Sequence, residues 1–229
     1  MEVPVLLVEF EGVLANTAAM RFAALDEALT PDGIVLNAEL RALANGRTTE
    51  DAISLIRTAV GAKDDPTAVE LARLRAERAF ATRAGKGLSL QPGVKQALER
   101  LATVGRLALV TRASRREVEF VLDLARLDGL FRPVIGLEDI APSKPHSAPY
   151  HAALARVRDL FPGQTLRGLA IEDSAVGARA ARAAGLLSVI VGDVPPHEAM
   201  EADAWFEALG DLTPERVRAL IGISTEGAR

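Results

Sequence analysis

Short apolar runs alternate with longer stretches of helical spacing along most of this chain. The first run, residues 3–8, is rich in β-branched side chains and has no polar face, which is typical of a strand buried on both sides of a parallel sheet. Later runs of the same kind predict further strands at residues 107–110, 133–136, 169–171, 188–191 and, in a short form, 204–206.

Between these runs, apolar residues recur at the three- and four-residue spacing of amphipathic helices. This spacing predicts helices over residues 17–29, 38–43, 50–60, 66–83, 94–101, 118–125, 148–160, 175–184 and 214–221. Thr17 is placed to cap the first of them. Strands that alternate with helices predict an α/β fold, with a doubly wound, mostly parallel sheet and right-handed crossovers.

The alternation is interrupted after the first strand, because no convincing strand occurs between residues 16 and 87. We therefore predict two domains: an α/β core domain formed by residues 1–15 and 88–229, and a small all-helical domain formed by residues 16–87. The Gly85-Lys86-Gly87 segment is expected to act as the hinge between them.

Composition excludes several classes of protein. The chain has 229 residues, a formal net charge of −4 and no basic tract, so no nucleic acid partner is expected. It contains no cysteine, which excludes disulfides, thiolate metal ligands and cysteine nucleophiles. No apolar run approaches the length of a membrane span, and no signal-like segment opens the chain, so a cytoplasmic protein is expected without a membrane partner. The sequence leaves the oligomeric state open.

Polar residues follow three of the predicted strands at the points where those strands end. Since ligands bind beyond the carboxyl ends of the strands in open parallel sheets, these side chains are expected to converge on one crevice. A lysine, one of only four in the chain, lies in a loop of the same domain. The candidate site residues are Glu9, Glu11, Thr111, Lys144, Glu172 and Asp173.

The order of these pieces resembles the haloacid dehalogenase (HAD) superfamily, particularly its phosphatase and β-phosphoglucomutase-like branch. Residues 9–14, Glu-Phe-Glu-Gly-Val-Leu, occupy the family's first motif, Asp-x-Asp-Gly-[Thr/Val]-[Leu/Ile]. Thr111 matches the second motif, Lys144-Pro145 the third, and residues 172–177, Glu-Asp-Ser-Ala-Val-Gly, the fourth. The helical insert stands where the family has a cap domain.

The resemblance implies a chemical role for each residue. Glu9 would attack phosphorus and form an acyl-phosphate, and Glu11 would act as general acid and base. Thr111 would hydrogen-bond the transferring phosphoryl group, while Lys144 would offset the negative charge of nucleophile and phosphate.

The resemblance also implies Mg²⁺ as the cofactor and a small phosphorylated metabolite as the substrate. Asp173, aided by Glu172, would hold the ion together with Glu9 and the backbone carbonyl of Glu11. The cap would close over the site, exclude water and select the substrate.

This chain departs from the family motif at its two acids, which are glutamates instead of aspartates. The extra methylene moves each carboxylate by roughly 1.5 Å, about one C–C bond. Misplacement of about 1 Å can cost on the order of 10²-fold in rate. Two interpretations stay open: a Mg²⁺-dependent phosphoester hydrolase that is slow, or a HAD-fold protein that binds a phosphometabolite or partner without turnover.

Two further activities rank lower. Hydrolysis of a carbon–halogen bond would leave the acid at residue 11 and the Glu172-Asp173 pair without a task. A mutase is disfavoured because Arg21 stands where mutase-like members often have histidine.

Four more residues are candidates for contact with substrate. Arg47 resembles a substrate-contacting cap residue, although a solvated arginine at a helix start explains it equally well. Arg21 is suited to bind a phosphate or carboxylate. Arg112 and Ser114 are placed to line the phosphate loop, and a surface turn accounts for them as well.

Overall fold

A computed structural model describes residues 2–63, 65–139 and 144–222 of the protein. Six strands form one sheet in which every pairing is parallel. In chain order they are β1 (Glu2–Val8), β2 (Arg106–Val110), β3 (Val134–Ile135), β4 (Thr165–Glu172), β5 (Leu187–Val191) and β6 (Ala204–Phe206). The predicted fold class is confirmed.

The strand order across the sheet is β3-β2-β1-β4-β5-β6, so β1 lies between β2 and β4. Val8 pairs with Leu109 on one side and Ile171 on the other, which brings the carboxyl ends of the three strands together. This central position explains why the first apolar run has no polar face: both of its faces are covered.

Helices account for most of the remaining structure. They are α1 (Ala18–Leu29), α2 (Ala38–Ala44), α3 (Thr49–Ala59), α4 (Pro66–Gly87), α5 (Val94–Ala102), α6 (Arg115–Leu124), α7 (Ala148–Leu160), α8 (Ala175–Ala183), α9 (Pro196–Ala199) and α10 (Pro214–Ile221). The short helix α9 follows Pro195 and was not predicted, because four residues are too few to show a helical period.

Alternate residues of β1 face two different apolar clusters, as the pleat of a strand requires. Leu6 and Val8 belong to a cluster that includes residues of α5, α6 and α10. Val5 and Leu7 belong to a second cluster, with residues of α7 and α8. The sheet is therefore covered by helices on both faces, which is the doubly wound arrangement.

The segment between residues 16 and 87 is helical, and its described residues contain no strand. It has an apolar cluster of its own, in which Leu29, Ile53 and Ile56 are fully buried. Ala24 and Phe80, however, pack into the larger cluster on the sheet. Helix α4 also runs through the glycines expected to form a hinge. The division into two domains stays a prediction.

None of the helices in the described ranges combines the length and apolar character needed to cross a bilayer.

The separate cluster in the helical segment predicts a stability contrast within α3. Ile53 is fully buried, whereas Leu55 on the same helix is 39% exposed. Ile53→Ala should lower the free energy of unfolding by about 2–5 kcal/mol, because it leaves a cavity. Leu55→Ala, the matched control, should change it by less than about 0.5 kcal/mol. Urea unfolding measures both, and equal effects of the two variants would contradict a packed core at this position.

Candidate active site

Three neighbouring strands deliver their polar residues to one edge of the sheet. Glu9 directly follows β1, and its backbone N–H donates to the carbonyl of Ile171 at 2.8 Å. Thr111 directly follows β2, and its N–H donates to the carbonyl of Ile135 at 3.0 Å. Glu172 is the last residue of β4. The parallel ladder therefore brings together acids that are far apart in the sequence.

Lys144 joins these strand ends through all three of its ammonium protons. Nζ donates to Glu9 Oε2 at 2.7 Å, to Glu172 Oε1 at 2.5 Å and to the carbonyl oxygen of Val110 at 2.7 Å. Lys144, Glu9 and Glu172 are at most 6% exposed. Burial opposes the charge on the lysine, but the two carboxylates outweigh it and raise the pKa of Lys144 above its usual value.

The Glu9 carboxylate is surrounded by donors. Its Oε1 accepts from the Thr111 hydroxyl, from the N–H of Phe10 at 2.8 Å and from the N–H of Glu11 at 3.3 Å. Its Oε2 accepts from Lys144. The longer side chain thus folds back onto its own loop. Two loop amides, a hydroxyl and an ammonium group together form an anion site, and the carboxylate of Glu9 lies in it.

Glu11 points to the start of α1. Its Oε2 accepts from the N–H of Thr17 at 3.0 Å and from the Thr17 hydroxyl at 2.8 Å, and its Oε1 accepts from the N–H of Ala18 at 3.0 Å. A carboxylate at this position also interacts favourably with the helix dipole. Thr17 precedes the helix as predicted, but its own side chain makes no capping bond, and Glu11 supplies the acceptor instead.

Glu172 lies beneath helix α8. Its Oε1 also accepts a hydrogen bond from the Tyr150 hydroxyl, while its Oε2 is buried without a hydrogen-bond partner among the described residues. A Cβ atom on Gly177 would lie 1.9 Å from that oxygen, so only glycine allows α8 to pass this close. Burial raises the pKa of Glu172, although Lys144 opposes the shift.

Asp173 packs against the loop that carries Glu9. A Cβ on Gly12, which has a φ of +79°, would lie 2.5 Å from Asp173 Oδ2. Burial and, after it, the negative charge of Glu9 raise the pKa of Asp173. Two carboxylates that repel each other in this way suit a shared cation.

Whether this site suits a magnesium ion depends on the oxygen ligands that its side chains offer. Within the described ranges, no cluster of three or more His, Asp or Glu side chains is arranged to hold a metal. Mg²⁺ does not require such a cage, since it commonly uses one or two carboxylates together with water and substrate phosphate. Glu9 and Asp173 are carboxylates of this class. Both oxygens of Glu9 already accept hydrogen bonds, and one oxygen of Glu172 is shared by Lys144 and Tyr150.

The four other candidates divide between two neighbouring cavities. Arg21 and Arg112 line a pocket of about 100 Å³ that also contains Glu9, Glu11, Thr111 and Asp173. Arg21 additionally lines a larger cavity of about 400 Å³, together with Arg47 and Ser114. The Ser114 hydroxyl caps α6 by accepting from the N–H of Glu117 at 3.4 Å. Arg47 donates to the carbonyl of Leu43 at 2.6 Å.

Sequence reasoning missed Tyr150 and Glu117. Tyr150 is the only tyrosine of the chain and lies on the apolar stripe of α7, where a buried hydroxyl needs a partner. Glu117 lines both cavities and accepts from the Thr17 hydroxyl at 3.2 Å. Burial raises the pKa of Glu117 to about 7, with the positive charge of Arg21 opposing the shift. No sequence signal marked this residue.

Removing the buried cation should destabilise the protein. Lys144→Met leaves Glu9 and Glu172 as buried carboxylates without their ion-pair partner, so the free energy of unfolding at pH 8 should fall by about 3–5 kcal/mol. The exposed Lys95 gives the matched control, Lys95→Met, which should change it by less than about 0.5 kcal/mol. Similar urea midpoints for the two variants would rule out a stabilising role for the Lys144 ion pairs.

Glu117 should make stability depend on pH. Its pKa is about 7 in the folded protein and near 4.5 ordinarily, so the native state holds the proton more tightly between these values. Its stabilising contribution is complete below pH 4.5 and is lost as the pH rises through 7. The free energy of unfolding of the wild type, relative to Glu117→Gln, should therefore fall over this range. Parallel pH profiles of the two proteins would contradict this, and Glu119→Gln on the same helix is the control.

Comparisons with known proteins agree with this arrangement of strands. A sequence profile of the haloacid dehalogenase-like hydrolase family matches residues 6–191. Protein CbbY of Rhodobacter capsulatus is 27% identical over 231 residues, covering 96% of this chain and 98% of that protein.

Two solved structures share the fold. A CbbY variant from Rhodobacter sphaeroides, in complex with xylulose-(1,5)bisphosphate, has a TM-score of 0.73 and 24% identity, and covers 92% of this chain and 96% of its own. β-Phosphoglucomutase from Clostridium difficile has a TM-score of 0.71 and 15% identity, and covers 97% of this chain and 98% of its own. Since the profile spans most of the sequence, the chain belongs to the haloacid dehalogenase-like hydrolase family.

Proposed function

We propose that this protein hydrolyses a small phosphate monoester through an acyl-phosphate on Glu9. The observation that carries the proposal is the convergence of Glu9 with the Thr111 hydroxyl and the Lys144 ammonium group at the carboxyl edge of the sheet. Membership of the hydrolase family and the phosphorylated ligand of the CbbY structure support it.

In the first step, a carboxylate oxygen of Glu9 bonds to phosphorus as the bond between phosphorus and the ester oxygen breaks. The departing alkoxide takes a proton from the carboxyl group of Glu11. Negative charge on the transferring group is offset by Lys144 and by a hydrogen bond from Thr111, both of which are already held in place before substrate binds.

In the second step, water attacks the phosphorus atom of the acyl-phosphate. The carboxylate of Glu11 takes the proton from that water, inorganic phosphate leaves and the Glu9 carboxylate is restored. The three bonds to the start of α1 occupy both oxygens of Glu11, so one oxygen must leave its donors before Glu11 can transfer a proton.

The metal that fits this site is Mg²⁺, which Glu9, Asp173 and the backbone carbonyl of Glu11 would hold. When bound, it would neutralise charge on the phosphate group and help to orient it. Glu172 acts beside this site by fixing Lys144 through the 2.5 Å bond to its Nζ.

The helical segment serves as the cap. The Asn45-Gly46-Arg47 loop reaches the two cavities, since Asn45 and Gly46 line the smaller one and Arg47 the larger. Closure over the phosphate group would exclude bulk water, which strengthens the electrostatic interactions within the site.

Binding without turnover is the second candidate, and one observation favours it. Each oxygen of Glu9 already accepts hydrogen bonds, and the donors include those proposed to hold the phosphoryl group. A substrate phosphate must therefore displace the carboxylate from its donors before that carboxylate can attack. A slow or absent reaction would follow if this displacement is rarely achieved.

A phosphatase screen with and without Mg²⁺ tests the leading proposal. Wild type should release inorganic phosphate from at least one monoester only when Mg²⁺ is present. Glu9→Gln should lose on the order of 10³-fold or more in kcat, because the amide is not a nucleophile. Glu207→Gln, which changes an exposed glutamate elsewhere, is the control. Retained turnover in Glu9→Gln would exclude Glu9 as the nucleophile.

The aspartate variants separate the two candidate functions. If wild type is inert and the double variant Glu9→Asp, Glu11→Asp gains Mg²⁺-dependent activity, the binding function is correct and the longer acids are the cause. Halide release from a haloacid without metal would overturn both candidates.

A further inference from the structure

The larger cavity adjoins the proposed phosphate site. Its volume is about 400 Å³, and it lies among α1, α4 and α6, with Arg47 and Thr49 also in its lining. It shares Arg21 and Glu117 with the small pocket that contains Glu9. A substrate with its phosphate at Glu9 would therefore extend the remainder of the molecule into this cavity.

The walls of the cavity are mainly apolar. Phe22 and Leu25 come from α1, Leu74 and Phe80 from α4, and Phe120 from α6. The rings of Phe80 and Phe120 meet edge to face, with centroids 6.4 Å apart. Leu74 is 47% exposed and Phe120 is 37% exposed. A ligand that covers them would gain the free energy of removing apolar surface from water.

Neutral hydrogen-bonding groups are scarce in this cavity. Only Thr49 and Ser114 among its lining residues carry a neutral polar side chain, and the Ser114 oxygen already caps α6. The other polar side chains of the lining are four arginines and two glutamates, and Arg47, Arg116, Glu77 and Glu117 among them already have partners within the protein. The hydroxyl groups of a sugar that leaves water here would have to compete with those partners. The lining therefore disfavours a polyhydroxylated leaving group.

Positive charge predominates among the charged side chains of the lining. Four arginines line the cavity, against the acids Glu77 and Glu117. Arg116 is paired with Glu77 at 2.9 Å. Arg78 is exposed and has no acidic partner within the described part of the chain. A guanidinium group binds a carboxylate through two parallel hydrogen bonds, so Arg78 is suited to an anionic substituent at the far end of a ligand.

We propose that the substrate is a phosphate monoester of an aromatic alcohol that bears a second, anionic group such as a carboxylate, and that sugar phosphates are poor ligands. This proposal rests on the proposed function only in placing the phosphate group at Glu9. The ring packs against Phe80 and Phe120, and the carboxylate meets Arg78.

Binding of non-hydrolysable phosphonates to the full-length protein tests this without any turnover. Isothermal titration calorimetry compares methylphosphonate, benzylphosphonate, 4-carboxybenzylphosphonate and the methylenephosphonate analogue of glucose 6-phosphate. Benzylphosphonate should bind at least about tenfold more tightly than methylphosphonate, because its ring leaves water. 4-Carboxybenzylphosphonate should bind roughly fivefold more tightly than benzylphosphonate, because of its carboxylate. The sugar analogue should bind no more tightly than methylphosphonate.

Matched variants test which residues cause the preference for the ring and the preference for the carboxylate. Phe120→Ser should reduce the ratio of benzylphosphonate to methylphosphonate affinity by at least about threefold. Leu124→Ser, on the same helix, 43% exposed and outside the cavity lining, should leave that ratio unchanged. Arg78→Gln should remove the advantage of the carboxylated ring over the plain ring.

The outcomes separate this proposal from the hydrolase proposal. Tight binding of the aromatic phosphonates with no hydrolysis of any monoester would support the ligand class and contradict turnover. Hydrolysis of sugar phosphates together with equal binding of methylphosphonate and benzylphosphonate would overturn the ligand class and leave the hydrolase intact. Absence of binding by all four phosphonates would overturn the ligand class as well.

Discussion

The three hydrogen bonds of the Lys144 ammonium group hold together the sheet edge at which the candidate active site lies. One lysine joins a carboxylate that follows β1, a carboxylate at the end of β4 and the last carbonyl of β2. None of these charges could be buried alone without a large desolvation cost. Their mutual pairing lets the sheet end in a buried, charged cluster, and that cluster fixes the position of Glu9.

The extra methylene of Glu9 does not move its carboxylate further into the pocket, as bond lengths alone suggest. A longer acid could simply project further into the pocket. Instead, the side chain folds back, and its carboxylate takes hydrogen bonds from the amides of Phe10 and Glu11, the hydroxyl of Thr111 and the ammonium of Lys144. The extra methylene thus allows the proposed nucleophile to occupy the anion site itself. Competition between this carboxylate and a phosphate group is the chemical question that the site raises.

Much of this architecture could be predicted from the sequence, because it depends on patterns local to the chain. The apolar run of β1 indicated a buried strand of a parallel sheet, and the acids after it indicated the edge at which the candidate site lies. The sequence predicts that α4 ends near residue 83, because Gly85 and Gly87 are poor helix formers. This end is wrong: the helix continues to Gly87, and Phe80 and Ala84 near its end pack into the larger apolar cluster.

The side-chain pairings of the site could not be predicted in the same way. Glu11 capping α1 in place of Thr17, and Tyr150 donating to Glu172, are contacts between segments whose relative positions only the folded chain defines. Glu117 is a further case, since a charged residue beside Val118 on α6 resembles any solvated helix position until folding brings Thr17 and Arg21 close to it.

Direct detection of the acyl-phosphate is the most decisive measurement for this site. The enzyme would be mixed with Mg²⁺ and a monoester that it hydrolyses, and the reaction would be quenched in acid. The protein would then be treated with hydroxylamine and digested for mass spectrometry. A carboxylate that has attacked phosphorus should appear as a hydroxamate on Glu9, and only in samples that received the monoester. If the monoester is hydrolysed while Glu9 stays unmodified, Glu9 is not the nucleophile. A hydroxamate on another acid, or on none, would show this.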